Sequence, residues 1–151
     1  MDATETRNLA AIERLSRGFA RHDVDAILDC FTEDGIFDIT EGPEPWGERF
    51  QGKGEIRKAL ESLFTTLPDV QFINATSWVA GDRGVSEWTC VATTPKGRAL
   101  RVRGCDLFEL RDGRITRKDS YFKKVVRKTV SPIRPTPSRA PGTWSCRASA
   151  I

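Results

Sequence analysis

The sequence predicts an α+β fold: helices first, then a long antiparallel sheet. Three observations carry this prediction. Apolar residues recur with helical period up to Phe64, and from Asp69 onward they alternate with period two. The connections in the second half are short, which pairs neighbouring strands antiparallel. Finally, Asp112-Gly113 stands between two alternating runs, Leu100–Leu110 and Arg114–Val125, a strong hairpin signal.

The elements follow in order. Thr6–Arg21 places Leu9, Ile12, Leu15 and Phe19 on one helical face, with Glu13, Arg14, Arg17 and Arg21 on the others. His22-Asp23 breaks this helix, and Asp23 or Asp25 can cap a short second one presenting Ile27, Leu28 and Phe31. Thr32–Gly35 is expected to end it, with Gly35 as the stop. Ile36–Ile39 reads as a strand. Glu41–Gly54, punctuated by Pro43, Pro45, Gly47, Gly52 and Gly54, reads as an irregular loop. Its aromatics, Trp46 and Phe50, either anchor the loop or cover a cavity mouth. Glu55–Phe64 is a third helix with the stripe Ile56, Ala59, Leu60, Leu63 and Phe64, and Pro68 ends the segment. Four strands are expected at Val70–Val79, Val85–Thr94, Ala99–Leu110 and Arg114–Val126. An α+β layout then sets the helices against one face of the sheet.

Composition narrows the function classes. A chain of 151 residues is most simply one domain, and 38% apolar content suffices for a core. No apolar run approaches the ~18 residues of a membrane span. The N-terminus has no basic-then-apolar leader, so a cytoplasmic location is expected. The four cysteines, Cys30, Cys90, Cys105 and Cys146, form no C-x-x-C pair and have no histidine cluster beside them, so no metal site is expected and buried thiols are. The net charge of +3 is uneven: residues 121–151 hold seven basic residues and no acid, while residues 1–120 hold 17 basic and 21 acidic ones. The basic character therefore belongs to the tail, and neither nucleic acid nor membrane is an expected partner of the domain. That tail, residues 127–151, alternates Pro132, Pro135, Pro137 and Pro141 with Ser, Thr and Arg. It is expected to be disordered, with Trp144 as the one residue suited to dock.

Chemistry concentrates in the third predicted strand. Val102, Gly104, Asp106, Phe108 and Leu110 share one parity and hence one face, which puts a carboxylate in an otherwise apolar row. Asp106 is then either a satisfied structural group or a working acid.

Three stretches resemble the NTF2-like superfamily, and specifically its SnoaL-like, polyketide cyclase-like branch. They are Asp23–Leu28 with Phe31–Phe37; Trp46-Gly47 through Gly52–Ile56; and Asp106–Leu110 with Asp112–Ile115 and Tyr121-Phe122. Together they cover about residues 5–126, and the domain is bounded as 1–126. The resemblance implies a cone: three N-terminal helices on a curled antiparallel sheet that encloses a hydrophobic pocket. On that cone Phe37, Ile39, Trp88, Cys90, Val102, Gly104, Asp106, Phe108, Lys118, Ser120 and Phe122 have inward parity, and Trp46 joins them from the loop. It also implies a homodimer through the outer sheet face, where Leu107 and Arg103 fall, and an apolar small-molecule ligand.

SnoaL-like cyclases use an aspartate near the position of Asp106 as an acid/base in ring closure. By resemblance Asp106 is the catalytic candidate for a cofactor-free cyclase or isomerase, with Phe37, Trp46, Trp88, Cys90, Phe108, Lys118, Ser120 and Phe122 binding substrate. An apolar pocket would keep Asp106 protonated. Lys118, if inward, would oppose that by pairing with it, and residue-type preference for exposed lysine conflicts with the strand parity here. The alternative is a non-catalytic ligand-binding or dimerisation module. A limonene-epoxide-hydrolase-like activity ranks lower, because its Arg-x-Asp pair falls on Trp88-Thr89-Cys90 and its other Asp on Ser120. A ketosteroid-isomerase-like site lacks an inward tyrosine, since Tyr121 has outward parity. A scytalone-dehydratase-like one lacks pocket histidines, the sole histidine, His22, being expected in solvent.

Overall fold

The computed structural model describes residues 1–127. The elements are α1 (Ala3–Arg21), α2 (Val24–Asp29), β1 (Phe31–Asp38), β2 (Arg49–Gln51), α3 (Lys53–Thr66), β3 (Gln71–Ala80), β4 (Arg83–Thr93), β5 (Ala99–Arg111) and β6 (Arg114–Phe122). One six-stranded sheet runs in the order β2-β1-β6-β5-β4-β3.

Helix α1 starts earlier than its apolar stripe, because Asp2 and Glu5 form a capping box: Asp2 Oδ1 accepts from the Glu5 amide and Glu5 Oε2 from that of Asp2. It ends at His22, whose left-handed backbone (φ 53°) closes the last turn. Asp23 then caps α2 by accepting from the Ala26 amide. The two helices meet at Gly18, where a Cβ would stand 2.9 Å from Ile27 Cγ1, so only glycine lets them approach this closely. Their apolar faces, with α3, bury Ile12, Leu15, Ile27, Ile56 and Leu60 against Phe31, Phe37, Phe108, Leu110 and Ile115 of the sheet. Each such side chain contributes about 1.5–3 kcal/mol of burial. A second cluster, Val70, Trp88, Cys90, Ala92 and Val102, lies further along β4 and β5.

Asn8 is a buried polar exception in α1. Its Nδ2 donates to Gly81 O (2.9 Å) in the β3–β4 turn, and its Oδ1 accepts from the Gly113 amide (3.1 Å) in the β5–β6 turn. One side chain thus ties two hairpin turns to the helix, and a buried amide is tolerated because both its ends are satisfied.

Several expectations are corrected. The β3–β6 meander is antiparallel, but the sheet is mixed: β1 lies parallel to β6, with Phe37 opposite Lys118 and Asp38 opposite Asp119. The turn arguments concerned chain neighbours and were silent on this pairing, which joins segments some 80 residues apart. Thr32–Gly35 does not end α2. It belongs to β1, which begins at Phe31 and shifts register between Phe31 and Ile36. The loop after β1 contains the short edge strand β2, held to β1 by three residue pairs. Strand β6 ends at Phe122, short of Val126. His22 is half-buried and not solvated, since its Nε2 meets Val70 O at 2.6 Å and its ring stacks on Phe64. The tail beyond Arg127, with Trp144 and Cys146, lies outside the described residues. Among the described residues no helix is long and apolar enough to cross a membrane.

Candidate functional site

The inward face of the meander carries one polar rung. Ser120 (β6), Asp106 (β5) and Ser86 (β4) are successive register partners, and Ser77 on β3 continues the row opposite Ser86, donating to its Oγ at 3.0 Å. The rungs beside it are apolar except at one point. Phe37, Lys118, Phe108 and Gly84 align on one side; Phe122, Gly104 and Trp88 align on the other.

Asp106 is 6% exposed and Lys118 5%. Asp106 Oδ1 accepts from Lys118 Nζ (2.7 Å) and from Ser120 Oγ (2.7 Å), while Oδ2 accepts from Trp88 Nε1 (2.8 Å). Lys118 Nζ also donates to Ser120 Oγ (2.7 Å) and sits 4.4 Å from the Phe37 ring centroid. The parity conflict over Lys118 is thereby resolved inward: the pairing with Asp106 and the aromatic face of Phe37 offset the desolvation of the ammonium. Of the two settings left open for Asp106, an apolar pocket or a pairing with an inward Lys118, the structure has the second. Three donors converge on it, one of them charged, and each is accommodated by an ionised carboxylate.

Trp88 reaches Asp106 because Gly104 opposite has no side chain. A Cβ there would stand 2.5 Å from the indole ring and 2.4 Å from Tyr121 O. The indole lies across the gap, edge-on to Phe72 (4.9 Å) and Phe122 (5.3 Å).

A cavity of about 470 Å³ opens above this floor. Its inner walls are Phe19, Phe37, Phe50, Phe72, Trp88 and Phe122, with Lys118 and Ser120 among them; α3 supplies Leu63, and Leu67 follows just after its end. Thr40, Glu41 and Glu48 line it from the β1–β2 loop. A lobe of about 30 Å³ adjoins it, sharing Phe19, Phe72, Trp88 and Lys118 and adding Ser16, Ser86, Asp106 and Phe108. Asp106 therefore faces the lobe, and Lys118 faces both spaces. The larger volume suits a small organic molecule, and the smaller is of the size of a water or a small substituent.

Of the residues predicted to bind substrate, Phe37, Trp88, Lys118, Ser120 and Phe122 line the cavity, and Phe108 lines the lobe. Two do not. Trp46 is 43% exposed and packs beneath the Arg49 guanidinium, so it anchors the loop from outside. Cys90 is sealed in the second core cluster, and burial pushes its thiol up to about 11. Sequence reasoning missed Phe19 and Phe72 as cavity walls. Phe19 reads as helix core, and its place at the wall depends on how α1 crosses the sheet.

The outer face carries a second network. Asp38, fully buried, accepts from Arg49 Nε (2.8 Å) and Nη2 (2.9 Å) and from Arg117 Nε (3.1 Å). Burial alone would push its carboxyl up; the hydrogen bonds and charges of the two arginines outweigh that and hold it below the ordinary 3.8. Arg117 continues to Asp119 (3.0 Å), which accepts from the Tyr121 hydroxyl (3.0 Å). Tyr121 has the outward parity expected of it.

A mixed sheet with helices against one face and a largely apolar, aromatic-walled cavity between them fits the NTF2-like fold. The chain belongs to the SnoaL-like domain family, whose model matches residues 12–118. No curated protein matches the chain. Among solved structures, it is similar to a protein of Xanthomonas campestris pv. campestris with a provisional polyketide cyclase assignment. The two are 23% identical, with a TM-score of 0.71, over 80% of this chain and 93% of that one. TerC, crystallised with polyporic acid, is 24% identical (TM-score 0.67; 78% and 92% covered). An NTF2-like protein of unknown function from Mesorhizobium loti is 27% identical (TM-score 0.66; 82% and 97% covered).

Proposed function

We propose that the protein is a cofactor-free enzyme that moves protons on an apolar, carbonyl-bearing small molecule, as an isomerase or cyclase does. The observation that carries the reading is the buried Lys118–Asp106 pair where the cavity meets the lobe. A ketone oxygen at the cavity floor would accept from Lys118, with its α-carbon turned toward the lobe. Asp106 takes the proton from that carbon while Lys118 gives one to the oxygen. The products are an enol, a neutral carboxyl and a neutral amine, so the ion pair becomes a neutral pair and charge is conserved. Returning the proton at another carbon completes an isomerisation. Attack by the enol carbon on a second carbonyl of the same ligand closes a ring instead: the new alkoxide takes its proton from Asp106, and the enol hydroxyl returns one to Lys118.

The test is exchange of deuterium from D₂O into the α-carbon of an aryl alkyl ketone, followed by NMR. Exchange above the buffer rate that falls at least 100-fold in Asp106→Asn and Lys118→Met supports the reading, since acid/base groups contribute about 10²–10⁴-fold. Exchange at the buffer rate, or unaffected by either substitution in folded protein, removes it and leaves the non-catalytic ligand-binding module as the better account.

The same reading includes a homodimer through the outer sheet face. Trp78 and Leu107 are exposed there, and they line one shallow groove with Val85. Sedimentation that gives only monomer at micromolar concentration would remove that part.

A further inference from the structure

We infer that the cavity selects ligands whose inner end is uncharged and bears a single hydrogen-bond acceptor, and that it rejects anions. The inference deepens the proposed function, and it rests on that reading only in taking the cavity as the ligand site.

The argument is a count of donors and charges at the floor. Lys118 has three N–H groups. One is taken by Asp106 and one by Ser120, and the third is left to the face of Phe37, a partner that a carbonyl oxygen displaces. The Trp88 N–H and the Ser120 O–H are both spent on Asp106. Of these three floor residues that line the larger cavity, only Lys118 therefore offers a ligand a donor, and it does so from a side chain whose charge is already matched.

An anion at the same place meets a different balance. Lys118 and Asp106 cancel, so a carboxylate or phenolate would add an uncompensated charge among Phe19, Phe37, Phe72 and Trp88, within reach of Asp106. The carboxylates that line the mouth act in the same direction, against Lys123 and Lys124 in the groove that adjoins it beside Glu41. Glu41 and Glu48 are exposed, line the cavity and make no ion pair among the described residues, and Lys118 is the one basic residue lining it. Cavity and lobe together thus carry three carboxylates against one ammonium. A buried lysine alone suggests an anion site; its pairing with Asp106 reverses the preference.

Matched probes test this by isothermal titration of the full chain: 2-acetylnaphthalene, a neutral ketone, and 2-naphthoate, its anionic counterpart. The ketone is expected to bind at least about tenfold more tightly. Asp106→Asn, checked for folding by circular dichroism, should invert the order, because it leaves Lys118 uncompensated. Glu41→Gln/Glu48→Gln changes only exposed residues. It should tighten naphthoate binding relative to ketone binding. Naphthoate binding as tightly as the ketone to the unmodified protein overturns the inference. So does an unmoved naphthoate-to-ketone ratio in folded Asp106→Asn or in the rim variant, or binding of neither probe. The two proposals fail separately: a ketone that binds but does not exchange removes the catalytic reading alone, whereas exchange together with tighter naphthoate binding removes this inference alone.

Discussion

Lys118 Nζ lies 2.7 Å from Asp106 Oδ1, and both side chains are almost wholly withdrawn from water. The two charges depend on each other. Removing either one strands its partner in an aromatic-walled space, at a cost of about 3–5 kcal/mol, whereas replacing both by apolar groups of similar size restores most of the loss. Urea unfolding of Lys118→Met, Asp106→Leu and the double variant should show this non-additivity. The double variant should be more stable than Asp106→Leu alone, and single losses that simply add would mean the pair is not coupled. The Trp88 N–H, left unpaired by loss of Asp106, keeps the recovery incomplete.

Asp38 makes stability depend on acid. Its carboxyl is held below 3.8 in the folded protein by Arg49 and Arg117, which outweigh its burial. A carboxyl lowered on folding contributes stability that is fully present above its unfolded value and is lost as pH falls through the folded one. Asp38→Asn should therefore cost on the order of 2 kcal/mol at pH 7. That is less than a fully buried pair would lose, because both guanidinium groups keep contact with solvent. The difference from the unmodified protein should shrink as pH falls below the ordinary 3.8 and through the lowered folded value. Urea denaturation at pH 7 and pH 2.5 measures it; a deficit that persists undiminished in acid would assign the loss to packing.

Much of this was legible in one dimension, for reasons that differ by residue. The strand parity placed Gly104, Asp106 and Phe108 on one inward face, because alternation is local and no bulge intervenes between Gly104 and Glu109. The Asp112-Gly113 turn was legible from its own chemistry: both residues have positive φ there, as a tight hairpin requires. The parallel β1–β6 pairing was not legible, since nothing local specifies which distant strand an edge will meet. Lys118 was undecided because its solvation preference and its parity conflict. Only the position of Asp106, 12 residues earlier and across a strand, decides between them. Trp46 misled for the converse reason. A large aromatic in a loop suggests burial, and the Arg49 guanidinium that covers it from outside is recruited by Asp38, on a different strand.

The thiols report the register directly. Cys30 and Cys90 are buried, and burial raises both; Cys105 is half-buried on the outer face and is raised first by burial and then by the Asp106 charge. Because the thiolate is the reactive form, all three should react slowly with iodoacetamide at pH 8, Cys105 first among them. Peptide mapping by mass spectrometry should find Cys90 alkylated only when urea is present. Labelling of Cys90 in the native protein at the rate of Cys105 would contradict the inward parity of β4.

Gly104 tests how the floor is held together. Adding a methyl there sets Cβ against the Trp88 ring and the Tyr121 carbonyl at distances that real contacts do not reach. The carbonyl belongs to the paired strand β6, so the backbone of β5 must shift or the indole must leave. Either response pulls Trp88 Nε1 from Asp106 and alters the cavity wall shared with Phe72 and Phe122. Gly104→Ala should therefore destabilise by about 1–3 kcal/mol, the usual cost of overpacking, and should change tryptophan emission and near-ultraviolet circular dichroism while the far-ultraviolet spectrum stays native. Ketone affinity should fall with it, because Asp106 then aims its freed oxygen into the lobe and Lys118 is held by fewer fixed neighbours. Alanine at this position with unchanged stability and an unchanged tryptophan signal would show that the indole does not lie across β5, and would remove the geometric basis for Trp88 as a donor to Asp106.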